Sequence, residues 1–393
     1  MKVVILHPKL EPYKEFHYMP ISALCVAASL EYKGYEVSIV DERIETLYME
    51  KLLSELETTN ELYISVYSGY QLHRAYHIAQ AIKELKPSVF ITWGGPHVDA
   101  NILSMLGSNL VDSISTGYAE QGEHPINWSL ADISKYVNPQ TNRFIYVSTY
   151  GCVGSCTFCA TKTKRKWVEI PFIKVERDID SLMSLHRFKE CVFFDATIFT
   201  KSSRAVALAE LMMKHNLSWI ADARADEICV MSERQLDLVM NSGVKRLTIG
   251  LESGSYKVVK QMRKGPNHLG RFKACAKILS NYNVDMCSGV IFGCPGESVE
   301  ELKETIAYIK EIRSINPRFY ISTTFFMPLP DTIMADEAKA YGYKEPTTLE
   351  EWARVGSDGH YKYNEWMNNP WILNKEEYKK VYDEFISECD YLI

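Results

Sequence analysis

Residues 143–160 read RFIYVSTYGCVGSCTFCA, a β-rich apolar run followed by Cys152, Cys156 and Cys159 within eight residues. The run has the branched and aromatic content of a buried strand, and Gly151 punctuates its end. Three soft thiols on one short loop match iron–sulfur or zinc ligation better than structural packing. Counting ligands separates the two metals. A closed zinc site needs a fourth protein donor, and the chain has no second CxxC pair. Three cysteines on a cubane instead leave one iron without a protein ligand, open to a substrate or cofactor. The remaining alternatives at this point are a structural zinc and accidental clustering.

Working outward, the strand at 143–150 opens an alternating series whose later strands read ECVFFD (190–195), SWIADAR (218–224), KRLTIGLE (245–252), VDMCSGVIFG (284–293) and RFYISTTFF (318–326). Helical segments separate them, among them Glu300–Arg313 with Ile306, Ile309 and Ile312 on one stripe. Six such units predict a partial parallel (β/α)6 barrel with its functional groups on the loops after the strands. Asp195, Arg224 and Glu252 close three of these strands and share that rim.

Upstream lies a second alternating series: strands at Lys2–His7, Glu36–Asp41, Glu61–Tyr67 and Val89–Trp93, and a short pair ending near Ser115, with helices between. This predicts an α/β, doubly wound Rossmann-like sheet with ligand at the strand carboxyl ends. Its first loop, HPKLEPYKEFHYMP (7–20), has no glycine, so a GxGxxG dinucleotide turn is absent. The expected division is 1–120 for this domain, 121–142 for a linker, 143–330 for the barrel and 331–393 for a small α-rich segment. That last segment holds Trp352, Tyr361, Tyr363, Trp366 and Trp371, and ends in a helix over Asn374–Cys389 with Asn374 as N-cap. It reads as a lid, or as a helix covering the barrel's edge.

Composition bounds the function. The 393 residues are 46% hydrophobic and 24% charged, a globular balance that argues against disorder. A net charge of −6 offers no broad basic field for nucleic acid. The opening MKVVILHPKL is too short to span a bilayer and lacks a signal-peptide layout, so no membrane role and a soluble, cytoplasmic location are expected.

CxxxCxxC after the first strand of a six-unit partial barrel resembles the radical S-adenosylmethionine (SAM) superfamily. The resemblance implies a 4Fe-4S cluster held by Cys152, Cys156 and Cys159, with SAM chelating the open iron and cleaved to a 5′-deoxyadenosyl radical. It also implies a SAM site at Phe158, Asp195, Arg224, Glu252 and, within GVIFGCPGES (289–298), Ile291. Arg224 would meet the SAM carboxylate and Glu252 its ammonium or ribose. The preceding doubly wound domain resembles the cobalamin-binding branch of the superfamily, which implies a corrin site at Ser65, Tyr67, Tyr70, Gly94, Gly95, Pro96, Gly117 and Glu120. Two features depart from the pattern. DxHxxG is missing, leaving Tyr67 or Tyr70 beside the lower cobalt face, with His7, His17, His73 and His97 less suited. Asp331 stands where relatives have glycine, which would reshape the entrance after the sixth strand.

The activity implied is a cobalamin-dependent radical SAM enzyme, foremost a methyltransferase on an unactivated carbon or phosphorus centre using methylcobalamin. Oxidation, cyclisation or rearrangement without methyl transfer is the second reading, and an iron–sulfur redox sensor or binding protein the third. No catalytic side chain is assigned. Tyr150, Tyr320, Thr324 and the late tryptophans are candidates to position a small-molecule or peptide substrate, and an electron donor such as flavodoxin or ferredoxin is the expected partner.

Overall fold

The computed structural model describes residues 1–11, 18–117, 124–161, 166–355 and 369–391. Strands β1 (Lys2–His7), β2 (Glu36–Asp41), β3 (Glu61–Ser65), β4 (Phe90–Gly94) and β5 (Ser113–Ser115) form one parallel sheet in the order β2-β1-β3-β4-β5. The order reverses between β1 and β3, which opens a crevice at their carboxyl ends. The expected strands lie at the expected places, and the doubly wound reading holds.

A second parallel sheet contains β6 (Arg143–Tyr146), β9 (Glu190–Phe193), β10 (Ser218–Ala223), β11 (Val244–Ile249), β12 (Asp285–Phe292) and β13 (Phe319–Phe325) in sequential order. Among the described residues β6 and β13 do not pair, so the barrel is partial. The strand expected over 143–150 divides. After Tyr146 the chain turns, and β7 (Thr149–Tyr150) pairs antiparallel with β8 (Val168–Glu169). The turn is held by buried Asp195, which accepts from the Ser148 amide at 3.0 Å, the Ser148 hydroxyl at 2.7 Å and the Thr149 hydroxyl at 2.6 Å.

The two sheets are joined by a shared core. Helix Ile21–Tyr32 (ISALCVAASLEY) is apolar all round, with Leu24, Cys25 and Ala27 buried in the same cluster as Trp219 and Leu247 of the barrel strands. Apart from Tyr32 at its last position, 71% exposed, the helix shows no solvent face because it lies between two packed layers. The stretch expected as a linker is packed too: Trp128 is buried and donates to the Asp178 carbonyl at 3.1 Å, and the Ile126 amide donates to the Asp178 carboxylate at 3.1 Å. Tyr136 reaches back to Asp41 at 2.9 Å.

The C-terminal segment serves both bodies. Helix Leu349–Val355 packs on helix Tyr70–Leu85, burying Leu349 and Trp352 in the first domain's core. Helix Lys375–Glu388 packs on helix Val299–Ile315, and Trp371, Tyr378 and Phe385 join the barrel core. The covering role is therefore the one observed for this last helix. Asn374 sits at its N-cap, but makes no capping bond; it supplies a left-handed turn at φ 49 instead.

Candidate functional site

The cysteine loop follows β7 and is pinned against the C-terminal end of helix Tyr256–Gln261, which comes after β11. The Thr157 amide donates to the Met262 carbonyl at 3.1 Å and its hydroxyl to the Gln261 carbonyl at 2.9 Å. Within the loop the Gly154 amide donates to Cys152 Sγ at 3.3 Å. A Cβ built on Gly154 would lie 3.3 Å from Cys152 Sγ, 3.8 Å from Cys156 Sγ and 2.7 Å from the Arg224 guanidinium. Only glycine lets the loop, two thiols and this cation crowd together so closely. The Arg224 guanidinium is held on its other side by Asp226 at 3.0 Å.

Glu252 completes the rim. Its backbone is left-handed at φ 65, a conformation costly for a glutamate, and two bonds to β12 impose it: its amide donates to the Gly289 carbonyl at 3.0 Å, and the Ile291 amide donates to its carbonyl at 2.8 Å. This turn aims the carboxylate across Gly250 and Gly289 to Lys264, 3.1 Å away. Burial works against the Lys264 ammonium, yet Glu252 and the Cys156 thiol keep its pKa above the ordinary lysine value. Burial also pushes the Cys156 thiol up, while Lys264 and Arg224 pull it back. The donor chemistry fits an anionic iron–sulfur cluster: three half-buried thiols, one amide-to-sulfur bond and two neighbouring cations. Among the described residues no three His, Cys, Asp or Glu side chains converge on a single ion. A cubane makes no such demand, since each thiolate takes a different iron. The one HxxxH pair, His73 and His77, is on helix Tyr70–Leu85, where His73 Nδ1 meets the Ala353 carbonyl at 3.1 Å.

Other expected residues stand differently. The Asp195 carboxylate is taken up by Ser148 and Thr149, which gives it a bracing role at the strand ends. Phe158 packs on the barrel core, and Ile291 presents its backbone beside Glu252. Tyr150 turns toward the first domain, with its hydroxyl 3.9 Å from Cys25 Sγ. Tyr320 stacks beneath the Arg313 guanidinium at 5.3 Å, and Trp352 and Trp371 are buried in two cores, so none of these three is free to hold a substrate. Thr324 is exposed on β13, in register with Ile291. Trp366, Tyr361 and Tyr363 lie outside the described residues. Asp331 has φ 61, so the backbone keeps the left-handed turn expected of glycine instead of reshaping the entrance. Lys264 and Asp222 escaped sequence reasoning. Asp222 shares a strand face with Arg224, and that i, i+2 spacing was the available signal.

On the first sheet the described residues of the implied corrin site gather at the carboxyl ends of β3, β4 and β5. Tyr67 is exposed just beyond β3, Tyr70 begins the following helix, and Pro96 is the first residue of helix Pro96–Ala100. Gly95 and Gly94 are spent on packing: a Cβ at Gly95 would meet Ser65 Oγ at 2.7 Å, and one at Gly94 the Ser115 carbonyl at 3.1 Å. The glycine pair lets these neighbouring loops approach each other closely. Gly117, at φ 81, opens onto free space and donates to Asp99 at 2.8 Å. Glu120 and His17 lie outside the described residues. These loops flank the switch point between β1 and β3, the place where a doubly wound sheet takes its ligand. The two strand-end edges meet, because Tyr18, after β1, lies edge-to-face on Phe194, after β9, with centroids 5.9 Å apart.

A buried carboxyl braces the loop after β12. Glu297 accepts from the Cys294 amide at 3.0 Å and Tyr378 hydroxyl at 3.1 Å, and burial pushes its pKa up to about 7. A folded-state value above the unfolded one means that the folded chain holds the extra proton between about pH 4.5 and pH 7. Stability is therefore fullest below that window and falls as pH rises through it, by about 3 kcal/mol. Glu297→Gln should flatten this slope in denaturation midpoints measured across the window; an unchanged slope refutes the assignment.

Comparison with known proteins follows the same division. A model of the radical SAM superfamily matches residues 146–309, and one of the B12 binding domain matches residues 15–124. An uncharacterized methyltransferase of Pyrococcus horikoshii is 24% identical, covering 82% of this chain and 79% of the relative. Cytidylyl-2-hydroxyethylphosphonate methyltransferase of Streptomyces wedmorensis is 26% identical over 55% of this chain, which spans only 41% of that relative's length. Among solved structures, the radical SAM methyltransferase TsrM from Kitasatospora setae superposes with a TM-score of 0.71 at 10% identity, covering 100% of this chain and 90% of that one. The cobalamin-dependent enzyme OxsB gives a TM-score of 0.66 at 15% identity, covering 98% of this chain and 61% of that one. With the B12 binding model over the first sheet and the radical SAM model over the second, the chain combines a B12 binding domain with a radical SAM domain.

Proposed function

We propose that this protein is a cobalamin-dependent radical SAM methyltransferase acting on an unactivated carbon or phosphorus centre of a small molecule. The observation that carries the reading is the meeting of the two strand-end edges at Tyr18 and Phe194, with the cysteine loop on one side and the open crevice on the other. When bound, the cluster and SAM supply the one-electron chemistry that activates a substrate bond, and cobalamin supplies the methyl carrier. Cys152, Cys156 and Cys159 would hold the cluster. Arg224 offers a guanidinium to the SAM carboxylate, and Glu252 an acceptor to its ammonium or ribose. Phe158 and Ile291 would flank adenine. Ser65, Tyr67, Tyr70, Gly94, Gly95, Pro96 and Gly117 would border the corrin, and Thr324 would lie on the substrate side.

The protein's own task is to hold these ligands in register and keep water from them. An electron must also arrive from outside. Residues 253–284 contain seven Lys or Arg and no Asp or Glu, and their turn is bonded to Ser155 of the cysteine loop. This face suits an acidic carrier such as flavodoxin or ferredoxin. Ten cysteines, none of them in a disulfide, suit a reducing cytoplasm. Among the described residues no helix is long and apolar enough to cross a membrane.

The test is an anaerobic incubation of the enzyme, reconstituted with cluster and cobalamin, with deuteromethyl SAM, dithionite and a cellular small-molecule extract. Both S-adenosylhomocysteine and 5′-deoxyadenosine should form, with deuterium in a new product. Deoxyadenosine without S-adenosylhomocysteine overturns methyl transfer, and no SAM cleavage overturns the radical reading as well.

A further inference from the structure

Strand register lines up a row of side chains across the barrel: Asp222 on β10 pairs with Thr248 on β11, and Thr248 with Cys287 on β12. The flanking Ala221 and Ala223 are buried among the outer helices' core, so Asp222 faces the opposite way, into the lumen, where it is open to solvent. It is two residues before Arg224 on the same face, which puts it about 7 Å deeper than the rim.

The other carboxylates around this mouth already have partners. Glu252 has Lys264, Asp226 has Arg224, Asp195 has Ser148 and Thr149, and Glu227 has Thr197 and Thr200. Among the described residues no cation pairs with Asp222, whose neighbour is the Thr248 hydroxyl. Protein atoms surround the carboxyl on most sides, and burial, with the like charges of Asp195 and Glu252, pushes its pKa up to about 6. At neutral pH the carboxyl is still largely ionised, and a cation beside it would relieve both burial and the like charges. Apolar groups line the lumen around it: Ile220, half-buried and two residues deeper on the same strand face, Phe194, 54% exposed and touching Tyr18, and the half-buried Ile291 nearer the rim.

We propose that Asp222 is a specificity-determining residue that anchors the substrate through an ammonium group, so that the substrate is a small amine with an apolar or aromatic body. This rests on the reading that the lumen receives the substrate. The Asp222 carboxylate takes the ammonium at the lumen floor, Thr248 orients the carboxylate, and Phe194 with Ile291 covers the body of the molecule on the side nearest the rim. No bond is made or broken at Asp222; it positions.

The test uses the cluster-reconstituted, SAM-loaded enzyme and two probes of equal shape, benzylamine and benzyl alcohol, titrated calorimetrically at neutral pH. The wild-type protein should bind benzylamine at least about tenfold tighter, the difference expected of a charge-assisted pair. Asp222→Asn should bring the two probes within about twofold of each other, and Asp222→Glu should restore part of the preference. Equal binding of both probes to the wild-type protein overturns the proposal without recourse to any variant. So does a preference that survives in Asp222→Asn, or a tenfold loss of SAM affinity in that variant, which would put the carboxylate in the SAM site. The readout is binding rather than methyl transfer, so this proposal and the functional reading fail separately.

Discussion

Cys156→Ala is expected to yield a folded protein that no longer retains its cluster and no longer cleaves SAM. The thiol is half-buried on a loop whose shape is kept by Thr157, through its bonds to Gln261 and Met262, so removing the sulfur leaves that scaffold in place. What it removes is one of only three protein donors that the loop can offer. Loss of a residue merely supporting a ligand typically costs 10–100-fold in metal affinity or activity, so loss of a ligand should bring 5′-deoxyadenosine formation below about one per cent of wild type. Iron per chain and visible absorbance after anaerobic reconstitution, beside far-ultraviolet circular dichroism, separate this outcome from misfolding. Wild-type iron content with intact SAM cleavage would remove Cys156 from the site.

The second large effect is on stability, and it falls far from the cysteine loop in sequence. Trp352→Ala should destabilise the first domain by about 3–5 kcal/mol, the usual cost of emptying a large aromatic site in a core. Trp352 is 4% exposed, packs edge-on against His97 at 5.5 Å, and belongs to the cluster that includes Leu72, Trp93 and Val98. Its helix is further tied by the bond from His73 to the Ala353 carbonyl. Hydrogen exchange should therefore lose protection in β1, β3 and β4, while β11 and β12 keep theirs. Leu103→Ala, at a site 83% exposed, should stay within about 0.5 kcal/mol of wild type. Protection lost equally in both sheets, or only in the barrel, would contradict the packing described.

Much of this molecule is legible from local pattern, and the failures have a common cause. Lys2–His7 and Glu36–Asp41 read as strands because apolar β-branched runs between turn residues have few other stable conformations. The strand-end position of Asp195 is local and legible, whereas Ser148 and Thr149, which claim its oxygens, are 47 and 46 residues away and are not. Trp352 and Trp371 looked like a lid because an aromatic-rich tail gives no sign of which core will bury it. Here it is divided between two. Glu252 could be named from its place after a strand, but its left-handed backbone depends on β12. Asp222 was passed over in SWIADAR because alternation defines two faces without saying which one is the lumen.

By itself, then, the sequence determined the order and type of the two α/β domains and the three-thiol loop, since periodicity and cysteine spacing act over a few residues. Tertiary structure decided that Arg224 and Lys264 flank the thiols, that Glu252 aims inward, that Asp222 is a lumen carboxylate without a cation partner among the described residues, and that the tail fastens both domains. The reason is physical: charge pairing and burial are properties of space, and side chains that meet there come from strands tens to hundreds of residues apart.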